Sequence, residues 1–401
     1  MTWLEDCDLG TIYFCIFHKK KSNYDNLKRT GTIFLLLFSA LTFAQSSKID
    51  SLKKVSEEVT GTKKVDVLNQ LAETYPTEDS VEQRTILEEA LLLSQELNYK
   101  RGIASTKNNI AINYRDSRNY VKALSLFNDA LDIFKSLNDT SMIGEVYFNI
   151  GNNYYYSGIS DTAIIYFERA LKIQRERKDS VNFSQTLMNI GFQYWGQGNF
   201  DEAIKYFSEA LEVRKKLNLT EYVANSLNSI GSAYWKSGNY LKAMEYFQQS
   251  LQIREQLNDE MGGIISWNNI GTIYQKLEYF DNAEKYFQLS LDMAKKTKYE
   301  FGIAYSLYNL GLLNLDKNEL NNSLTYFLQS YNLAKNILAQ NLRTMILNYI
   351  GSIYEKKNNF QKAEDYYKQA LDIAIASHDK HTQSLVYQGI MLKLERYFSN
   401  S

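Results

Sequence analysis

Cysteine is nearly absent from this 401-residue sequence, which carries only Cys7 and Cys15, both close to its start. A disulfide framework or a thiolate metal cage is therefore excluded for everything that follows them. Proline is scarcer still. Pro76 stands alone, and so long a chain without further proline points to uninterrupted helices with short joints. Histidine is limited to His18, His378 and His381; the last two, with Asp379 between them, make no designed metal site without a further ligand. Charge of one sign is lacking too, since 45 basic and 46 acidic residues leave a net of −1 with no block of like charge. A phosphate backbone finds little electrostatic support there, so nucleic acid is not an expected partner. The motifs G-x-x-x-x-G-K-[ST], G-x-G-x-x-G and G-x-S-x-G are missing. Carboxylate pairs such as Glu88-Glu89 and Asp259-Glu260 read as solvated helix ends. No catalytic residue, no metal and no small-molecule cofactor is expected.

Long apolar runs are lacking except over residues 33–44, Ile-Phe-Leu-Leu-Leu-Phe-Ser-Ala-Leu-Thr-Phe-Ala. Lys28 and Arg29 precede this run, and small residues end it at Ala44, before Gln45. That order is the order of a secretory signal peptide. The run is shorter than the roughly 20 residues a membrane span needs. Export to the periplasm or medium with cleavage near Ala44 is expected, with no following cysteine to carry a lipid anchor. Residues 1–27 read as an over-extended start. The alternative is an uncleaved anchor, the one case in which membrane contact is expected.

What the chain has in abundance is repetition. A small residue recurs every 40 residues at Ala111, Gly151, Gly191, Gly231, Gly271, Gly311 and Gly351, inside Asn-Ile-Gly-x-x-Tyr or a close variant. Apolar residues around it keep the three- and four-residue spacing of a helix face, as in Trp267, Ile270 and Tyr274. A joint at Glu278-Tyr279-Phe280 follows, and then a second stripe: Ala283, Phe287, Ser290 and Leu291. Each unit is predicted to be a helix hairpin. The first-helix aromatic is Tyr114, Tyr154, Tyr194, Tyr234, Tyr274 and Tyr354, with Asn314 departing from the pattern. The second helix repeats Ala123, Ala163, Ala203, Ala243, Ala283 and Ala363, with Ser323 in the sixth unit. Phe127, Phe167, Phe207, Phe247, Phe287, Phe327 and Tyr367 follow four residues later.

These residues resemble the tetratricopeptide repeat. The family's usual period is about 34 residues, against 40 here, and the proline that ends its second helix is missing. The long form is similar to the repeats of kinesin light chain and the Pins/LGN adaptors, and to the sensor regions of bacterial envelope signalling proteins. The resemblance implies an all-α, right-handed α-solenoid of about eight hairpins with a C-terminal capping helix. The boundaries are 1–44 for extension and signal peptide, 45–63 for a linker or short helix, and 64–103 for a degenerate first unit. Seven units follow at 104–143, 144–183, 184–223, 224–263, 264–303, 304–343 and 344–383, and 384–401 holds the cap.

In such arrays the first helices line a concave wall, and the residue two before the glycine faces the groove. Here that residue is Asn109, Asn149, Asn189, Asn269 and Asn309, with Ser229 and Tyr349 as exceptions. An amide can pair with both backbone groups of an extended peptide, as in the O-linked N-acetylglucosamine transferase repeats that this position resembles. The alternative is that the asparagine bonds to a neighbouring helix or to water. Nearby groove positions carry Phe148, Tyr155, Met188, Phe192, Trp195, Trp235, Tyr308, Leu312 and Leu315. An exposed stripe of this kind marks a binding surface, unless a tight superhelix buries it against the next unit. Arg115 is the only groove-facing cation, so no clamp for a carboxylate or phosphate is expected. The expected function is a scaffold or adaptor gripping a protein or extended peptide. The alternative is the input module of a histidine kinase or transcriptional regulator whose output domain is missing or encoded separately.

Overall fold

The structure, a computed structural model, describes residues 48–75, 80–337 and 339–376. The apolar run 33–44, Pro76, His378, His381 and the cap at 384–401 lie outside these residues. A helix over 48–58 (α1) comes first. Two helices follow, α2 (Gly61–Thr74) and α3 (Ser80–Glu96), then α4 (Lys100–Asp116), α5 (Tyr120–Ser136), α6 (Thr140–Tyr156) and α7 (Ser160–Glu176). The next are α8 (Ser180–Gly196), α9 (Phe200–Lys216), α10 (Thr220–Lys236), α11 (Tyr240–Gln256), α12 (Glu260–Lys276) and α13 (Phe280–Lys296). The series closes with α14 (Glu300–Asp316), α15 (Leu320–Asn336), α16 (Gln340–Lys356) and α17 (Phe360–Ala376). Among the described residues there is no strand, and α2 to α17 form eight hairpins. No described helix is long and apolar enough to cross a membrane.

The described residues divide into two compact units, one ending at Val213 and the other starting at Arg214. In each, a first helix packs on its own second helix, the second helix packs on the next first helix, and successive first helices touch. This is the helix-hairpin stack of an all-α solenoid, as the resemblance implied. The helices start at Lys100, Thr140 and Ser180, four residues ahead of the boundaries drawn at 104, 144 and 184.

A 20-residue rhythm lies beneath the 40-residue one. Asn98, Arg118, Asn138, Gly158, Lys178, Gly198, Asn218 and Gly238 all have φ between 50° and 82°. In each case the left-handed residue lets the next N–H reach back to the last turn. Ile159 N–H, for example, donates to the Tyr154 carbonyl at 2.9 Å, which is a Schellman cap. The side chains of Asn119, Asp139, Asp179, Asn239 and Asp259 then accept from the third N–H of the following helix, satisfying an otherwise orphan donor. Stop and start therefore fit into three residues without proline.

The core sits within and between hairpins. Phe127, Phe167 and Phe207 are fully buried in the N-terminal unit, and Phe287 and Phe327 in the C-terminal one. Each ring lies flat on the small residue of its partner helix: a Cβ added at Gly191 would stand 2.5 Å from the Phe207 ring, and one at Gly151 2.6 Å from Phe167. No side chain fits there without displacing the ring. The first-helix tyrosines stack on a second-helix tyrosine, Tyr154 on Tyr166 and Tyr194 on Tyr206, both with ring centroids 5.5 Å apart. Asn314, which replaces the tyrosine in the sixth full-length unit, turns inward and donates to the Leu310 carbonyl at 2.8 Å.

Candidate functional site

Asparagine on a helix face can present its amide to a ligand or spend it on the next helix. Here it spends it. Asn109, Asn149, Asn189, Asn269 and Asn309 are all buried. Asn149 Nδ2 donates to Asn108 Oδ1 at 3.1 Å, and Asn189 Nδ2 to Asn152 Oδ1 at 3.1 Å. In the C-terminal unit Asn269 Nδ2 donates to Asn228 Oδ1 at 2.8 Å and Asn309 Nδ2 to Asn268 Oδ1 at 2.9 Å. Asn109 Nδ2 reaches both Asn69 Oδ1 (3.2 Å) and Glu73 Oε1 (3.0 Å). Every acceptor belongs to the preceding hairpin. The expectation that these amides face outward is thereby corrected: their donors close a ladder between hairpins. The physical reason is proximity, since first helices that touch bury the amide, and a buried amide without a partner costs roughly 1–3 kcal/mol.

The aromatic positions divide. Phe148, Tyr155, Phe192, Trp195 and Trp235 are half-buried, as are Leu312 and Leu315. Met188 and Tyr308 are buried, at 3 % and 4 % exposure, which corrects their place on a solvent-facing wall. Tyr308 lies between Phe327 and Tyr349, its ring centroid 5.9 Å from each. Tyr349, a ring where other units have asparagine, fills the space that would have left Tyr308 open.

In the N-terminal unit α6 and α8 carry the rings. Phe148 leans on Phe167 at 5.8 Å, Phe192 meets Phe207 edge-on at 5.0 Å, and Trp195 meets Phe200 edge-on at 6.4 Å. Each ring thus rests against a neighbouring ring and stays half-buried. In the C-terminal unit the Lys236 ammonium stands 4.9 Å over the Trp235 ring.

Charge on the N-terminal face is arranged in a way the spacing of the repeat does not reveal. Arg115 is only 9 % exposed and is bonded to Asp116 at 2.9 Å, so it is not the open cation that the sequence suggested. Arg101 is likewise closed by Asp139 at 3.0 Å. Two exposed carboxylates remain, Glu73 and Glu145. Asn108 Nδ2 donates to Glu145 Oε1 at 3.2 Å. Desolvation of the carboxyl by the surrounding helices, and then the charge of Glu73, hold Glu145 above the usual carboxylate range, against the opposing Asn108 hydrogen bond and the charge of Arg101. Solvent still reaches the side chain. Glu73 and Glu145 escaped sequence reasoning because neither position repeats; the Asn108-Asn109 and Asn268-Asn269 doublets are the signal from which the paired amides could have been read.

Among the described residues no group of three or more His, Cys, Asp or Glu could hold a metal ion. Comparison with known proteins matches the tetratricopeptide repeat family over residues 102–176, 182–256, 264–336 and 302–376. None of the curated proteins compared with the chain matches it. Among solved structures, the apo quorum sensor NprR from B. thuringiensis aligns with a TM-score of 0.61 and 18 % identity, over 84 % of this chain and 96 % of that one. A Rap protein complexed with competence and sporulation factor aligns with a TM-score of 0.55 and 14 % identity, over 88 % of this chain and 96 % of that one. The signal-transduction ATPase PH0952 from Pyrococcus horikoshii, with a tetratricopeptide repeat sensor, aligns with a TM-score of 0.58 and 14 % identity. That match covers 85 % of this chain and 54 % of the other. At these identities the likeness is one of fold.

Proposed function

Because the chain belongs to the tetratricopeptide-repeat family, we propose that it is a non-enzymatic binding protein. It holds an extended segment of another protein against the first-helix face of its hairpins. One observation carries this reading: Phe148, Tyr155, Phe192 and Trp195 stand half-buried on α6 and α8. Aromatic rings that the core holds in place and solvent still reaches are the usual anchors of a binding surface. Fold-level analogy supports it, since a Rap protein of like fold is complexed with competence and sporulation factor. The amide ladder contributes rigidity rather than contacts, so affinity rests on ring pockets and a few polar groups. Micromolar to high-nanomolar binding follows once the cost of ordering a flexible segment is set against them.

The test is a display library of random twelve-residue peptides, with blocked termini, selected on the full chain. Enrichment of a recurrent sequence is expected, and its loss with the Phe148→Ala, Trp195→Ala double variant of unchanged helicity. A library from which nothing is enriched overturns the reading.

A sensor whose output lies on another chain would use the same face; the likeness in fold to the PH0952 sensor favours that variant. Export is proposed on the apolar run 33–44 and the basic pair before it. N-terminal sequencing of exported protein should begin at Gln45, and an intact Met1 would refute cleavage.

A further inference from the structure

Glycine within a helix weakens it relative to alanine, so its presence there asks for a reason. Gly151 and Gly191 have one, the ring packed against each. Gly196 has none within the fold. It is the last residue of α8 and is exposed, its φ is not left-handed, and a Cβ added to it would meet nothing within 4 Å. Gly198 supplies the left-handed residue of the joint that follows. In the other six full-length hairpins the equivalent residue is Asp116, Tyr156, Lys236, Lys276, Asp316 or Lys356. Here alone the side chain is missing.

Helix geometry tells what the missing side chain uncovers. Gln185, Asn189, Phe192 and Gly196 follow at four-, three- and four-residue spacing and share one stripe of α8. The side chain of a helical residue lies back over the turn before it, so one at 196 would lie over Phe192. Glycine keeps that side of the half-buried Phe192 ring within reach, while Phe207 supports the ring edge-on at 5.0 Å. Trp195, also half-buried and three residues from Phe192, is its neighbour on the helix surface. Polar groups on the stripe are already engaged, since Asn189 accepts from Gln185 at 3.2 Å and donates to Asn152 at 3.1 Å. Charge is missing as well. Among the described helices α8 alone carries no charged side chain. A charged group set over Phe192 would lose water and gain no partner, whereas an apolar one buries its surface without that loss.

We propose that Gly196 is a specificity-determining residue: the space it leaves over Phe192, beside Trp195, seats one uncharged, apolar side chain of the bound segment. This rests on the peptide-binding reading above and adds to it what the segment must carry. The neutral seat is matched by a neutral occupant such as leucine, isoleucine, methionine or phenylalanine.

The test uses the full chain and the peptides enriched from the random library with blocked termini. These should share an apolar residue at one position. Exchanging it for alanine should weaken binding about tenfold or more, and exchanging it for glutamate or lysine at least as much. Gly196→Leu fills the seat and should weaken the parent peptide by a like factor. The alanine peptide should bind Gly196→Leu and the original chain about equally, because it places nothing in the seat. Thermal unfolding should show Gly196→Leu to be at least as stable as the original chain, since the space is open and leucine favours the helix. Gly196→Ala, a single added methyl, should give a smaller loss of binding and keeps the comparison if leucine disturbs the fold. Parent binding that is unchanged in both variants, or enrichment of charged residues in place of apolar ones, overturns the seat while leaving peptide binding standing. A library that yields no binder removes both.

Discussion

At the scale of the residue, an amide and a carboxylate carry most of what is particular to this chain. Asn149 is buried and gives its Nδ2 to Asn108. Asn149→Ala removes that donor and leaves a buried acceptor bare, so a loss of about 1–3 kcal/mol is expected. Urea unfolding at neutral pH measures it, and an unchanged midpoint would mean that the ladder contributes nothing. Glu145 gives a prediction with a sign. Its carboxyl is raised in the fold by burial and by the charge of Glu73, so the ionised form is disfavoured in the folded state. That penalty is fully present above the raised folded value and gone below the unfolded one. Glu145→Gln should therefore stabilise the chain at pH 7.5 and confer little or nothing at pH 4. Unfolding midpoints at the two pH values decide it.

At the scale of the element, helix length is set by the joints. Each first and second helix from α4 to α17 spans 17 residues, and each three-residue joint whose residues are all described holds one left-handed residue that caps the helix before it. Asp139 shows how much one joint residue does: it accepts from Met142 N–H at 3.2 Å and from Arg101 at 3.0 Å. Asp139→Ala should cost roughly 0.5–2 kcal/mol, chiefly from the lost cap, with the partly exposed ion pair adding little. Thermal unfolding beside Asp139→Asn, which keeps a capping oxygen, separates the two. The hairpins themselves were legible from spacing, because a glycine, a tyrosine and a phenylalanine recur in register. The left-handed joint was harder to read. Asn, Gly, Lys, Arg and Glu all occupy it, since the short penalty of a left-handed side chain is offset by the cap.

At the scale of the whole molecule, contacts join a hairpin to its neighbours and to little else. Stability in such an array is close to a sum of unit and nearest-neighbour terms. Gly191→Val would press a branched side chain into Phe207, at a cost of about 1–3 kcal/mol. Amide hydrogen exchange should then rise in α8 and α9 and in the hairpins beside them, with much less change around Gly351 and Tyr367. A uniform rise along the chain would show global cooperativity instead.

The sequence by itself determined the hairpin, its count and its core, because packing of a ring on a glycine demands those residue types at that spacing. It also determined which faces are first-helix faces. It did not determine which way a polar residue on that face is spent. Asn149 and Tyr308, each read on its own helix, look like groove residues; they become ladder and core only when neighbouring hairpins supply Asn108 and Tyr349, and the partner helix Phe327, within reach. Glu145 likewise comes under the charge of Glu73 only through the stacking of separate hairpins. Burial and charge pairing depend on what stands opposite, and only the tertiary structure decides that.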